Sequence, residues 1–291
     1  MQTPRYTINA YQKNQHQTGL DALQAIESGQ VIFLPNHAFA VDHEAKAYLC
    51  ESILHPKHKN ISYHIKHNQL AGLSPEHATK HEAMRHWMLC YAHFAKALVD
   101  DLCPHYREQI IWGRTSYRPA QIKHRRTSPR QDDTRLHVDA FPSSPVQGQR
   151  ILRVFCNINP DKIPRTWNVG EPFATVLSRF ANRIPKYRPL LAKGLHLIRA
   201  TKTLRTAYDH HMLHLHDGMK LDAAYQATCP KNTIDFPAQS TWMVFTDHVS
   251  HAALSGQYLL EQTFYLPVNA MYNPQLSPLY QWEQHSQCAL V

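Results

Sequence analysis

The sequence has no stretch near the roughly 18 to 20 consecutive apolar residues that a membrane-spanning helix requires, although 43% of its 291 residues are apolar. This excludes a helical membrane protein and leaves a chain long enough to bury a substantial core. The opening segment, MQTPRYTINAYQ, has neither a basic head nor an apolar run, so the expectation is a cytosolic protein without a secretory signal. No CxxC pair occurs among the six cysteines, Cys50, Cys90, Cys103, Cys156, Cys229 and Cys288. That argues against a structural zinc site or a disulfide framework and predicts buried free thiols. Internal repeats and low-complexity tracts are also absent. Acidic residues are few: 22 against 31 Lys and Arg gives a net charge of +9, which suits nucleic acid, anionic lipid or an acidic small substrate. No base-reading motif accompanies the charge, and aromatics are not concentrated in the basic stretches, so nucleic acid is disfavoured.

What is present divides near residue 125. The first part reads as a mixed α/β flanking region, with strands at Gln30–Pro35 and Gln109–Tyr117 and helices at Asp42–Leu54 and Ser74–Leu102. Ser74 is a candidate N-cap for the second helix. Lys123–Arg135 is polar, basic and without apolar period, hence a loop or lid. From there to residue 291 the pattern is β-rich, with strands at Arg135–Ala140, Ile151–Ile158, Ser240–Thr246 and Tyr258–Leu266. A helical insert over about 172–225 interrupts them, and the residues after Pro274 read as an irregular tail. The expected fold is α+β with a mainly β core, a double-stranded β-helix (cupin-like jelly roll) with flanking helices, in one domain spanning 1–291.

Histidine is abundant, at 22 residues. His137-Val138-Asp139 is the motif of interest, because alternation along a strand puts residues i and i+2 on one face, where both can ligate one ion. With a second histidine this makes the 2-His-1-carboxylate triad of non-haem Fe(II) oxygenases. Chance alone supplies about one HxD pair in a chain so rich in histidine, so the motif needs context. The segment MVFTDHVSHAAL (Met243–Leu254) resembles the distal-histidine segment of the 2-oxoglutarate oxygenases. The spacing from Phe245 and the apolar Ala252-Ala253-Leu254 favour His251 over His248 as third ligand. Such enzymes carry an Arg or Lys roughly ten residues later for the distal carboxylate of 2-oxoglutarate; Ser255–Glu261 holds none. Arg153, a cation inside an apolar run, is the first substitute, and Arg118 the second.

Longer strings, His137–Phe173, Tyr208–Gln226 and Asp247–Pro267, resemble the Kdo 3-hydroxylases over most of the chain. The resemblance implies Fe(II) as cofactor, 2-oxoglutarate and O₂ as co-substrates, and hydroxylation of C3 of the sugar Kdo, giving Ko, on lipid A precursors at the cytoplasmic face of the bacterial inner membrane. Arg125, Arg126, Trp167 and Asn168, in loops near the HxD strand, are candidate substrate contacts. The basic, leucine-bearing stretch Arg179–Arg205 suits an anionic membrane surface. His210, His211, His214 and His216 form a cluster better read as a helix surface or as hydrogen-bonding groups than as a second metal site. The alternatives are a 2-oxoglutarate oxygenase acting on protein or nucleic acid, and a cupin-like sugar-binding module without catalysis.

Overall fold

The structure is a computed structural model that describes residues 9–10, 19–122 and 127–291. Its strands are β1 (Asn9–Ala10), β2 (Ile32–Leu34), β3 (Ile61–His64), β4 (Gln69–Ala71), β5 (Ile111–Arg118), β6 (Arg150–Asn157), β7 (Arg165–Val169), β8 (Asn232–Phe236), β9 (Ser240–Phe245), β10 (His251–Ser255) and β11 (Leu259–Leu266). The helices are α1 (Gly19–Glu27), α2 (His81–Leu102), α3 (Phe173–Phe180), α4 (Pro189–Leu197), α5 (Ala207–Leu221), α6 (Ala223–Thr228) and α7 (Pro278–Ser286).

The strands form a large sheet, ordered β1-β2-β9-β6-β11-β5-β3-β4, and a small one, ordered β10-β7-β8. All neighbours are antiparallel except β1 and β2. Strands from both sides of residue 125 thus share one sheet.

Side-chain alternation sorts the large sheet into two faces. Leu152, Val154, Met243, Phe245, Phe264 and Leu266 point outward, against Ile26 of α1 and Ala95, Leu98, Val99 and Leu102 of α2. Phe155, Trp242, Val244 and Leu259 point inward, against Trp167, Val169, Phe236 and Ala253 of the small sheet. Trp242 stacks between Phe155 and Phe236, at 5.2 Å and 4.1 Å between ring centroids. The apolar packing fills part of the space between the sheets, and the rest is a polar cavity. On the far side of the small sheet, Val138 and Ala252 meet apolar residues of α3, α5 and α6, with Trp282 of α7.

Several expectations need correction. Asp42–Leu54 forms only two short 3₁₀ turns, because Cys50 is extended (φ −145°, ψ 146°) and breaks the spiral. The long helix starts at His81 after a 3₁₀ turn, and Ser74 makes no side-chain capping bond. The tail contains α7, which opens on Ser277 accepting from the Tyr280 amide with proline at its first position. Arg135–Ala140 is not a strand: its main chain makes one isolated bridge, between His137 and His251. Trp167 and Asn168 lie on strand β7 rather than in a loop. Alternation sends Trp167 inward, while Asn168 faces the other way and accepts a hydrogen bond from Thr233 Oγ1 at 2.8 Å.

Helix α4 inverts the usual pattern. Leu190 and Leu197 are 83% exposed, and Ile198 just beyond is 72% exposed, while its small Ala192 is buried.

Candidate active site

His137 and His251 exchange main-chain hydrogen bonds, His137 N to His251 O at 3.0 Å and the reverse at 2.8 Å. Asp139 N donates to Thr246 O at 2.8 Å, so an irregular segment is anchored at both candidate ligands. The side chains converge: ligand atoms of His137, Asp139 and His251 lie within 4.8 Å of one another, and among the described residues this is the one group of three with metal-ligating geometry.

The donor set fits a divalent metal. His137 Nδ1 donates to the Arg135 carbonyl at 2.7 Å and His251 Nδ1 to that of Val249 at 2.8 Å. Each ring therefore holds its Nε2 lone pair toward the cluster, with its tautomer fixed from behind. Burial holds both rings below the ordinary histidine range, which keeps them neutral, as ligation requires. Burial would raise the Asp139 carboxyl, but the Arg153 guanidinium beside it holds it well below its usual value. Arg153 Nη2 is 3.2 Å from Asp139 Oδ2 without hydrogen-bonding alignment, so that buried oxygen lacks a donor. A bound cation would satisfy it.

The cluster opens on a cavity of about 780 Å³. Its sheet wall carries Arg118, Arg153 and Glu261. Glu261 pairs across the ladder with Ser116 and Phe155, which sets both arginines diagonal to it on the same face. Arg118 reaches Glu261 through Nε at 3.1 Å and Nη2 at 2.8 Å, and Arg153 Nη1 lies 3.3 Å from it. Arg153 and Arg118 hold the Glu261 carboxyl below its ordinary value despite burial. Arg165, on the small sheet, donates to Gly256 O at 2.8 Å. A Cβ at Gly256 would come within 2.8 Å of Arg165 Cδ, and the residue sits at φ +111°, so glycine is needed there. Burial, then Arg118, pushes Arg165 down to about 9 against the pull of Asp133 and Glu261, and its buried Nε has no hydrogen-bond partner. Trp167 stacks on the His251 ring at 5.1 Å.

The helix wall is α5, with Leu213, His216 and Lys220 facing the cavity. His216 lies edge-on to His137 at 5.3 Å. Six cations (Lys59, Arg118, Arg130, Arg153, Arg165, Lys220) line the cavity against four carboxylates, an excess suited to an anionic guest.

Of the expected site residues, His137, Asp139, His251, Arg153, Arg118 and Trp167 meet in this cavity. Asn168 does not: its strand position turns it away. His248 stands apart, buried edge-on to Phe173 at 5.6 Å. Arg125 and Arg126 lie outside the described residues. The segment expected to offer a basic residue offers Glu261 instead, which organises two arginines from neighbouring strands. The sequence pointed neither to Arg165 or Lys220 nor to the part played by Glu261, and His216, expected on the helix surface, is buried on the cavity wall instead. For the helix residues a signal existed, since Leu213, His216, Asp217 and Lys220 recur at helical spacing. His210 and His214 do approach, at 4.3 Å between rings, but no third ligand joins them among the described residues.

No curated protein matches the chain. Solved structures of the Kdo hydroxylase KdoO, a non-haem Fe(II) α-ketoglutarate-dependent dioxygenase, do. Its complex with α-ketoglutarate and Fe(III) is 42% identical with a TM-score of 0.91, over 98% of this chain and 96% of that one. The cobalt(II) complex gives 42% and 0.92 over the same shares, and the apo form 42% and 0.91 over 96% and 94%. The family model of 3-deoxy-D-manno-oct-2-ulosonic acid (Kdo) hydroxylase matches residues 9–289. With that match running over nearly its whole length, this chain belongs to the Kdo hydroxylase family.

Proposed function

We propose that this protein is an Fe(II)- and 2-oxoglutarate-dependent dioxygenase that hydroxylates C3 of Kdo on lipid A precursors, giving Ko. The observation that carries the reading is a buried 2-His-1-carboxylate cluster, its rings locked with Nε2 inward, opening on a cavity with excess positive charge. His137, Asp139 and His251 would hold the metal, on a single domain whose two sheets we read as a jelly roll. Fe(II), when bound, supplies the redox chemistry by which O₂ and 2-oxoglutarate are consumed and one oxygen atom enters the sugar. The protein's part is binding, orientation and exclusion of water. Arg153 and Arg118 would take the distal carboxylate of 2-oxoglutarate, with Arg165 adding an incompletely paired cation. Trp167 backs His251 and walls the cavity, and Glu261 keeps both arginines extended.

Helix α4 supports a peripheral place on the cytoplasmic face of the inner membrane. Its exposed Leu190, Leu191 and Leu197 are flanked by Lys186, Arg188, Lys193 and Arg199, so apolar side chains and cations together suit an anionic leaflet. Lys202 N donates to Ser143 O at 2.9 Å and Arg205 Nη2 to Pro142 O at 2.8 Å, tying this segment to the cavity rim. Among the described residues no helix is long and apolar enough to cross a membrane. Sedimentation with phosphatidylglycerol vesicles should capture the wild type and release the L190D/L197D double variant.

The deciding experiment adds Fe(II) and 2-oxoglutarate without oxygen, then O₂ and Kdo-lipid A, and weighs the product. A gain of one oxygen atom on the sugar, matched by succinate, is expected. Succinate without sugar oxidation, or no metal-to-ligand charge-transfer absorption, would overturn the reading.

A further inference from the structure

Lys220 is 2% exposed, yet it is poorly partnered for a buried ammonium with three donors. Among the described residues it donates to one carbonyl, Arg130 O, at 3.3 Å, and its carboxylate neighbour, Asp133 Oδ1, stands 3.8 Å away. Asp133 is shared, since Arg118 approaches its other oxygen at 4.0 Å. Burial pushes the Lys220 amine below its ordinary value, and Asp133, Asp139 and Asp132 nearby only partly oppose this. The side chain lines the same cavity as the metal cluster, close enough for its charge to act on His137 and His251. It comes from the helix wall, whereas Arg118 and Arg153 come from the sheet wall.

The chemistry of the guests separates these two walls. 2-Oxoglutarate has two carboxylates, one for the metal and one for the strand arginines. A 3-deoxy-2-ulosonic acid brings a third carboxylate, at C1, and the strand arginines are then already engaged. We propose that Lys220 is the clamp for this sugar carboxylate, and that gripping C1 fixes the position of the C3 methylene two bonds away. The inference rests on the Kdo reading above and names the residue that selects an acidic sugar. An ammonium on a flexible stem suits the task, because its three donors can rotate to follow the carboxylate. A neutral sugar would leave the buried charge without a partner, which is how a polar site rejects an analogue lacking the matching group.

The test uses the full-length iron-loaded protein, Lys220→Met and Lys220→Arg. Each is assayed with Kdo-lipid A and with its derivative in which the Kdo carboxylate is reduced to an alcohol. Lys220→Met, close in shape but uncharged, should raise KM for the acid about ten- to a hundredfold, leaving KM for 2-oxoglutarate and Fe(II) affinity unchanged. It should also lose the wild type's preference for the acid, and Lys220→Arg should recover part of it. Unchanged KM and preference in Lys220→Met, or a defect falling on 2-oxoglutarate, would sink the proposal. Equal use of acid and alcohol by the wild type would sink it too, even if Lys220→Met does not fold. A wild type that oxidises neither would remove the clamp together with the reading it rests on, whereas an active wild type with an indifferent variant faults the clamp alone.

Discussion

Strand β6 carries two arginines three residues apart, on opposite faces, and their surroundings differ. Arg150, on the outer face, is fully buried and saturated. Its Nε donates to Asp247 Oδ2 at 2.7 Å, its Nη1 reaches Met271 Sδ at 3.2 Å, and the guanidinium lies 3.9 Å over the Phe245 ring. Arg153, on the inner face, stands 3.2 Å and 3.3 Å from two carboxylates, and its buried Nε has no partner. We read the fully partnered charge as one that holds the fold together and the one with unmet capacity as one that faces a guest. Burial alone does not distinguish the two.

The largest effect should come from removing the acid at the open end. Asp139→Ala is expected to lose tight Fe(II) binding and to drop sugar-coupled succinate formation to background, while its circular dichroism stays native. Closed-end damage is structural: Arg150→Met leaves Asp247 buried without its cation and should cost about 3–5 kcal/mol in denaturant unfolding, with KM for 2-oxoglutarate unchanged in the folded fraction. Arg153→Met should show the converse, a rise of about ten- to a hundredfold in that KM and, with metal bound, a smaller loss of stability. If Arg150→Met and Arg153→Met behave alike, the distinction between saturated and open arginines fails. The effect that is smallest at neutral pH concerns His248, whose pKa burial, helped by Arg150, lowers to about 3. Its unfolded form takes a proton near pH 6.5 that the folded form refuses, so stability rises with pH between those values. This group contributes about 1.4 kcal/mol per pH unit there, and His248→Gln should unfold with a correspondingly shallower pH dependence.

The same contrast explains what was legible in the sequence. Continuous apolar runs such as Ile151–Ile158 announce the large sheet, and a cation inside one singles out Arg153, because an unpaired charge there would be costly. The small sheet hid because β7 and β8 are short and half polar, so Trp167 and Asn168 read as loop. HxD carried little information alone, since histidine is so common here; its meaning comes from the bridge to His251, a contact 114 positions distant in sequence. The role of Glu261 was hidden for a physical reason. A search for a cation after the distal histidine finds an anion, and only pairing across three strands shows that the anion holds two cations in place. Lys220 was obscured by the histidines around it, although helical spacing placed it beside His216.

The reciprocal main-chain bonds between His137 and His251 have a thermodynamic consequence. The spacing of these two residues is set by peptide geometry before any metal arrives, so little chain entropy is lost on metal binding. Most of the coordination free energy is then available as affinity rather than consumed in folding. A chelator should strip such a site without melting the fold, and added metal should restore it without a slow refolding phase.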